Sequence, residues 1–596
     1  MIRERPLLFF AGLFTEPPPP LTDRQRIVAW SLAVAAALSR LLAISRSAWD
    51  WDEMLFCLGM RSYDVAQHHP HPPGFPLFIA LAKIVRVAGL DDFRALQTVS
   101  VVAAMLLFPA VMMLGRELRL RADTAMAAAA LCAFFPNVWF FGGTAFSDVV
   151  SLTLAVFAVA MLLRGCRSAS AYVAGAVLLA AAAAIRPQNL LIGLAPAVLA
   201  TLHRTWRQTM FAAIAGIAVL AATFGPAIAA TGGIDKYVTA LKVHGDYIAR
   251  VDSFRSPTRP PLWTLFDDFF VRNYQSPALG WIVTLFVVVA LIAAIRGCDK
   301  RIGLLLLAFG PFAIFAWLML DRLSISRFSI GYAPLFALLA AHGIDVVTRR
   351  PIVGGILVIA FAVYTWPALA VVRREDAPTI RAIQAARSLA ARHQLYVARS
   401  MAPFVEYGLP REPYITVEDE HALPVGAAQS GSWLLSDFRT APPHGLVFRR
   451  AHGRLWNIAR RAYFDVALAP VAQLPQFVSG WYPPERLGHD EWRWSSGHAA
   501  MQLPATSGAT RLSMSFDIPD DKHPPTMTLT LDGVIVDRFV PNGGHLSREY
   551  RLTPNAARAP LLEITVEPTY NERRAGTGTD TRELGILLRT LSWGPA

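Results

Sequence analysis

Residues 77–89 read Leu77-Phe78-Ile79-Ala80-Leu81-Ala82-Lys83-Ile84-Val85-Arg86-Val87-Ala88-Gly89. As an α-helix this segment reaches about 20 Å, against a bilayer hydrocarbon core of about 30 Å. It is too short to span. On a helical projection Leu77, Leu81, Ile84, Val85 and Ala88 share one face, with Lys83 and Arg86 opposite. That is the pattern of an amphipathic helix lying in the membrane interface. The choice fixes the topology downstream, because one more span would turn every later loop to the other side.

Of the 596 residues, 54% are hydrophobic and 17% charged. The apolar residues gather in long runs, which makes this a polytopic α-helical membrane protein. Eleven spans are expected, at 27–47, 94–114, 123–141, 147–163, 170–185, 189–202, 209–230, 278–295, 302–320, 328–347 and 352–371. With 77–89 left out, Arg3, Arg5, Arg24 and Arg26 fall on one side together with Arg116/Arg119/Arg121, Arg164/Arg167, Arg204/Arg207, Arg296/Lys300/Arg301 and Arg349/Arg350. The positive-inside rule then places the N-terminus in the cytoplasm and the first long loop outside. After an odd number of spans, everything from about residue 375 is outside too. The expected location is the bacterial inner (plasma) membrane, with the C-terminal part periplasmic or extracellular.

The net charge of +13 fits membrane orientation and anionic lipid headgroups. No dense Lys/Arg stripe interleaves with aromatics in a soluble region, so nucleic acid is not an expected partner. Cys57, Cys132, Cys166 and Cys298 lack metal-type spacing, and none follows residue 298, so disulfides do not hold the C-terminal part together. The N-terminal "LLFFAGLF" is shorter than a span and precedes Pro17–Pro20, which reads as a cytoplasmic tail over residues 1–25. No internal repeat of fixed period is visible, so inverted-repeat transport architecture gains no support.

The membrane part is expected over 26–374. Residues 375–470 mix the helical "TIRAIQAARSLAARH" with strand-like "LYVA" and "SWLLSDF", the pattern of a small α/β unit. Residues 471–596 read as a β-sandwich: Leu512, Met514, Phe516 and Ile518 alternate with polar residues, and Asp532-Gly533 sits between two alternating runs as a two-residue hairpin turn. Trp481, Tyr482, Trp492 and Trp494 suit stacking on sugar rings, although tryptophans in a sandwich more often belong to the core.

Between the first run and 77–89 lie Trp49-Asp50-Trp51-Asp52-Glu53 and His68-His69-Pro70-His71-Pro72-Pro73-Gly74-Phe75-Pro76. Asp52 and Glu53 fall just past the outer end of a span, where a carboxylate escapes the ~2.5–3.5 kcal/mol cost assigned to charge at mid-bilayer. A solvated loop acid is the ordinary reading of such a residue. Flanking Trp49, Trp51, Met54, Leu55 and Phe56 favour instead a site pressed against the interface, where a carboxylate takes a proton from a hydroxyl acceptor. The "HHPH" spacing matches no standard metal motif.

An aliphatic first span, then Asp52-Glu53, then His71-Pro72-Pro73 leading into an amphipathic helix, resembles the polytopic GT-C glycosyltransferases. The resemblance covers roughly residues 25–370 and is greatest to the protein O-mannosyltransferase and lipid A aminoarabinose transferase group, which use polyprenyl-phosphate sugars as donors. It implies that Asp52 activates or orients the acceptor with Glu53 beside it, and that His71 and its prolines shape the site floor. Asp148 in "FSDVVSL" resembles a second external acid of the class, though capping of a helix N-terminus by Ser147 or Asp148 explains it equally. Arg186 in "IRPQN" and Arg327 in "DRLSISRF" match external arginines that hold the donor phosphate, work suited to a guanidinium fork. Interfacial snorkelling is their plainer explanation. Arg40, inside the first span, is a further donor-site candidate, with snorkelling or a buried acid partner as alternatives.

The sequence departs from the family where Gly74-Phe75-Pro76-Leu77 follows the Pro pair, and in its long C-terminal part. The implied reaction is an inverting single displacement from a polyprenyl-phosphate sugar to a lipid, glycan or protein hydroxyl on the external face. No cofactor or metal site is assigned. Because relatives differ in metal dependence, a divalent cation between Asp52 and Asp148 stays open. The alternative is a transporter or flippase of lipid-linked saccharide, which predicts charges spread along several spans; here the acids gather at helix ends.

Overall fold

A computed structural model describes residues 14–251, 253–254, 261–319, 325–418, 423–424, 427, 431–437, 445–449, 465–483, 485–487, 490–505, 509–554 and 559–595. Arg3 and Arg5, most of the N-terminal apolar stretch, and Asp321–Ser324 of the "DRLSISRF" segment lie outside these residues. The chain divides into two compact units: residues 1–377 with 450–461, and residues 378–449 with 462–596.

The first unit is helical. In chain order its helices are α1 (Asp23–Leu42), α2 (Trp51–Arg61), α3 (Pro76–Arg86), α4 (Asp92–Glu117), α5 (Ala122–Phe134), α6 (Pro136–Phe141), α7 (Asp148–Gly165), α8 (Ala169–Ile185), α9 (Leu190–Thr201), α10 (Trp206–Ala230), α11 (Ile234–Val251), α12 (Leu262–Phe270), α13 (Pro277–Gly297), α14 (Lys300–Met319), α15 (Ile325–Phe328), α16 (Ala333–Thr348) and α17 (Pro351–Arg374). Among the described residues, eight are long and apolar enough to cross a membrane: α1, α4, α7, α10, α13, α14, α16 with the turn before it, and α17. The chain is an integral membrane protein. The other three expected spans coincide with the shorter apolar helices α5, α8 and α9.

Local chemistry sets the helix starts. Thr22 caps α1 in a capping box with Gln25, and Asp91 accepts from the Arg94 N–H at the head of α4. The start of α3 depends on Gly74, whose φ is +93°; a Cβ there would lie 2.3 Å from the Tyr63 hydroxyl oxygen. Pro76 then occupies the first turn of α3.

α3 turns to the protein a face other than the Leu77/Leu81/Ile84/Val85/Ala88 stripe. Phe78, Ile79 and Ala82 are buried, while Ile84 is 69% exposed and Ala88 is also exposed. Phe75, Phe78, Ile79 and Ala82 form a second apolar stripe at i, i+3, i+4 and i+7, and the aromatic pair Phe56–Phe78 seats it on α2. The apolar face read from the sequence points outward, as a helix lying on lipid requires.

At the opposite ends of the helices the arginines meet. Glu117 is buried and takes both Arg164 (2.9 Å) and Arg167 (2.6 Å), Arg204 donates to the Cys166 carbonyl, and Arg301 donates to the Arg119 carbonyl. Several of the basic clusters counted together in the sequence thus share one end of the bundle.

In the second unit, α18 (Pro378–Ala390) and α19 (Ala402–Gly408) accompany β1 (Leu395–Ala398), β2 (Tyr414–Val417), β3 (Trp433–Ser436), β4 (Leu446–Arg449) and β5 (Asp465–Pro470) in a mixed sheet of order β2-β1-β3-β5-β4. β1 pairs in parallel with β2 and β3, and the remaining pairs are antiparallel. The rest is β: β6 (Gln476–Trp481), β7 (Glu485–Leu487), β8 (Asp490–Gln502), β9 (Thr510–Asp517), β10 (Thr526–Leu531), β11 (Val534–Phe539), β12 (His545–Leu552), β13 (Leu561–Glu567) and β14 (Leu587–Pro595).

The two halves of this β part are joined as one sheet. β8 pairs with β14 through Arg493 and Trp494 and with β13 through 498–502, so one long strand serves both halves. Leu512, Met514 and Phe516 from one half and Met527, Leu529, Leu562 and Ile564 from the other bury together, which gives the sandwich its core. Asp532 and Gly533 have φ of +50° and +79°, as a two-residue hairpin requires. Trp481 packs against this core, with its indole N–H on the Ala500 carbonyl, and the Trp492 N–H goes to Glu485.

Candidate active site

Asp50 opens α2. Its carboxylate accepts from the Asp52 N–H, and Glu53 reaches back to the Asp50 N–H, a reciprocal capping box. Glu53 is fully buried and engages three backbone donors: Trp49 N at 2.6 Å, Asp50 N at 3.0 Å and, from the segment between α6 and α7, Ala145 N at 2.9 Å. Burial pushes its carboxyl up to about 8, although those same backbone donors pull the other way. Glu53 ties the first long loop to the segment leading into α7. Expected beside Asp52 in catalysis, it is instead taken up by the scaffold.

One residue earlier, on another side of the same helix, Asp52 faces a different environment. One of its oxygens pairs with Arg327 of α15, across 275 residues of sequence, and the other lies 3.8 Å from His71 Nδ1. Asp148 begins α7 and holds Arg186, the residue that ends α8, at 2.7 Å. Ser147 makes no side-chain capping bond; its hydroxyl accepts from Arg186 Nε at 3.0 Å. The capping explanation of Ser147 therefore gives way to an Arg186 clamp. Asn189, also in "IRPQN", extends the clamp by donating to Ser151 at 2.6 Å.

The two ion pairs belong to one cluster, for Asp52, Asp148, Arg186 and Arg327 all interact electrostatically. Each is 6–7% exposed. Aromatic rings wall them in: the Arg327 guanidinium lies 5.2 Å from the Phe146 ring and 5.0 Å from that of Phe328, and Arg186 lies 5.2 Å from Phe75. His71 packs edge-on against Phe75 at 4.8 Å and against Phe56 at 5.8 Å. Burial drives the His71 imidazole down to about 3, with Asp52 opposing and Arg327 reinforcing the shift, so the ring is neutral at ordinary pH.

Two paired aspartates and two arginines nearly cancel in charge, which lets all four stay buried. A guanidinium fork is suited to phosphate oxygens as well as to carboxylate oxygens.

Arg40 stands elsewhere. It is fully buried in α1 and donates to the Ala36 carbonyl and the Ser39 hydroxyl, with its guanidinium 5.4 Å from both the Phe134 and Trp139 rings. Among the described residues no contact links it to the cluster and no acid pairs with it. The cage holds this cation by ring faces, one carbonyl and one hydroxyl. Among the described residues no group of three His, Cys, Asp or Glu is placed to hold a metal ion, and Asp52 and Asp148 each face a guanidinium.

A second long loop supplies contacts that the sequence reading missed. From α11, Lys236 pairs with Asp64 at 2.8 Å, Tyr237 donates to the Pro73 carbonyl at 2.6 Å, and the His244 ring sits 5.9 Å from that of His71 and 5.8 Å from that of His68. The signal available in the sequence was the spacing of Lys236, Tyr237 and His244, which places all three along one side of a helix.

Comparison with protein-family models gives no match, and neither does comparison with curated proteins. Among solved structures the chain is similar to ArnT from Cupriavidus metallidurans bound to undecaprenyl phosphate, at 14% identity and a TM-score of 0.47, over 75% of this chain and 98% of that one. It is similar to the arabinofuranosyltransferase AftD from Mycobacteria, at 14% identity and a TM-score of 0.43, over 98% of this chain; it spans 60% of that protein's length. It is also similar to the S. cerevisiae protein O-mannosyltransferase Pmt1-Pmt2 complex bound to the sugar donor, at 16% identity and a TM-score of 0.28, over 45% of this chain and 38% of that one. All three scores lie below 0.5, so the functional reading rests on the geometry of the cluster itself.

Proposed function

We propose that this chain is a GT-C glycosyltransferase that moves a sugar from a polyprenyl-phosphate donor to an acceptor hydroxyl at the external ends of its helices. The observation that carries this reading is the cluster itself. Asp52 and Asp148, Arg186 and Arg327, and the neutral His71 converge from five separate segments into one aromatic-walled site whose charged members are buried. Its chemistry fits a negatively charged group joined to an apolar chain, with a base close by.

In the proposed reaction the acceptor oxygen attacks the anomeric carbon as the carbon–oxygen bond to the phosphate breaks, and the configuration inverts. The hydroxyl proton passes to Asp52, and the bonding pair leaves with the lipid phosphate. Arg327 and Arg186 meet the negative charge that develops on the leaving oxygen. Preorganised cations in a low-dielectric site are usually the largest single contribution to such a step. A second catalytic acid is not needed, since phosphate leaves readily. Asp148 holds Arg186 in place, and Glu53 fixes the loop that presents Asp52.

The test is transfer by the purified chain from a panel of undecaprenyl-phosphate pentoses and hexoses to alkyl glycosides, wild type beside Asp52→Asn. Transfer by wild type with none by the variant supports the reading. Equal transfer by both removes Asp52 as the base. Movement of lipid-linked sugar between leaflets, with no transfer, favours a flippase.

A further inference from the structure

We infer that His244, carried by α11 on the second long loop, belongs to the acceptor subsite and binds a hydroxyl of an uncharged, sugar-like acceptor beside Asp52. The inference rests on the reading of Asp52 as the base.

In an inverting displacement the leaving oxygen and the incoming oxygen lie on opposite faces of the anomeric carbon. The two oxygens of Asp52 already face two different groups: one pairs with Arg327, the other looks to His71 at 3.8 Å. With the leaving phosphate on the arginine side, the acceptor comes in on the imidazole side. The His71 side chain is 13% exposed there, and the half-buried His244 ring lies 5.9 Å from it, with His68 and Tyr247 as its other ring neighbours.

The placement of His244 is built. α11 is fastened to the first long loop by Lys236 on Asp64 at 2.8 Å, by the Tyr237 hydroxyl on the Pro73 carbonyl at 2.6 Å, and by the Val65 N–H on Thr231 just before the helix. His244 follows Tyr237 by two helical turns, on the same face. Its ring chemistry suits the assignment. A neutral imidazole offers one N–H donor and one acceptor nitrogen, the complement of a hydroxyl and a poor partner for a phosphate, which the arginines serve. Burial lowers the affinity of His244 for a proton, and His68 adds to that effect. His71 and His244 thus present two uncharged rings where a neutral glycan would enter.

The full-length chain is assayed in lipid nanodiscs with the same donor panel and alkyl glycoside acceptors. His244→Ala is expected to raise the acceptor KM about five- to tenfold, the loss of one hydrogen bond, with donor KM and kcat within about twofold. His244→Asn, which keeps a donor and an acceptor, restores most of the affinity. Lys236→Ala, which releases α11 without touching the cluster, shifts the acceptor KM in the same direction. Thermal unfolding identifies any variant that fails to fold; His244→Asn and Lys236→Ala then carry the test. An unchanged acceptor KM in folded His244→Ala, or a rise in donor KM instead, overturns this inference while leaving the base assignment standing. Wild type that transfers from no donor, or Asp52→Asn that transfers normally, overturns the base assignment and this inference with it.

Discussion

Arg40 and the pair Arg186/Arg327 are all arginines buried against aromatic rings in an apolar helical bundle, yet their partners differ. Among the described residues, Arg40 finds its hydrogen-bond acceptors within its own helix, the Ala36 carbonyl and the Ser39 hydroxyl, leaves Nη1 without one, and is boxed by Phe134 and Trp139. Arg186 and Arg327 each reach a carboxylate on another element, 38 and 275 residues away in sequence. The local cage fixes a cation for good. The long-range pairs join separate elements, and they exist only once the chain has folded. A buried arginine is therefore a functional signal through its partner's origin, and depth alone says little.

The widest separation between the two regions should come from the cluster. Asp52→Asn removes the base while keeping shape and one acceptor oxygen, so transfer is expected to fall about 10²- to 10⁴-fold, and because Arg327 loses its buried counter-ion the unfolding midpoint is expected to fall as well. A purified-enzyme rate beside an unfolding curve checks both, and a tenfold or smaller loss would put Asp52 outside the chemistry. Arg327→Ala is expected to cost about 10²-fold in kcat/KM, with Arg327→Lys recovering part of it, because lysine restores charge without the fork.

Much of this was legible in the sequence, for reasons particular residues make clear. Apolar runs long enough to span are one-dimensional signals: among the described residues, eight of the eleven expected runs hold a helix long and apolar enough to cross, and the other three hold the shorter helices α5, α8 and α9. The Asp532-Gly533 hairpin is equally local. Asp52 and His71 are legible through the ordered Asp-Glu and His-Pro-Pro motifs of the resemblance, and Asp148, Arg186 and Arg327 through their places at outer helix ends; in the structure the five meet in one cluster. Two things were harder to see. Asp50-Trp51-Asp52-Glu53 has capping-box spacing, yet the bond from Glu53 to Ala145 spans 92 residues, so its scaffold role depends on tertiary structure. The approach of α11 to the first loop depends on Lys236 meeting Asp64 across 172 residues, which no periodicity encodes.

Glu53 gives the largest expected stability effect. Glu53→Ala leaves three buried N–H groups without their acceptor, at about 1–3 kcal/mol each, so a loss of several kcal/mol is expected in chemical or thermal unfolding. Glu53→Gln keeps an acceptor oxygen and should cost much less. A stable Glu53→Ala with reduced kcat would reverse the division of labour between the two neighbouring acids.

A smaller effect is pH-linked and comes from His71. Its folded value of about 3 lies below the 6.5 of an ordinary histidine, so the unfolded chain binds a proton that the folded chain refuses. The stability tied to the neutral ring is full above pH 6.5 and declines as pH falls toward 3, with a limiting slope of about 1.4 kcal/mol per unit. His71→Asn should flatten unfolding curves across that window. An unchanged acid slope would mean that the ring is more hydrated than its burial implies.

The smallest effect belongs to the cage, and it decides the comparison. Arg40→Met removes two ring contacts worth about 0.5–2 kcal/mol each and two hydrogen bonds, but it also removes the cost of burying a charge with no acid partner. Replacing a buried ionic group by an apolar one of similar volume is often neutral or stabilising. Transfer by Arg40→Met is therefore expected within about threefold of wild type, with the unfolding midpoint unchanged or raised. A hundredfold loss of transfer in folded Arg40→Met would show that the cage serves the reaction after all, and the distinction between local and long-range partners would fall with it.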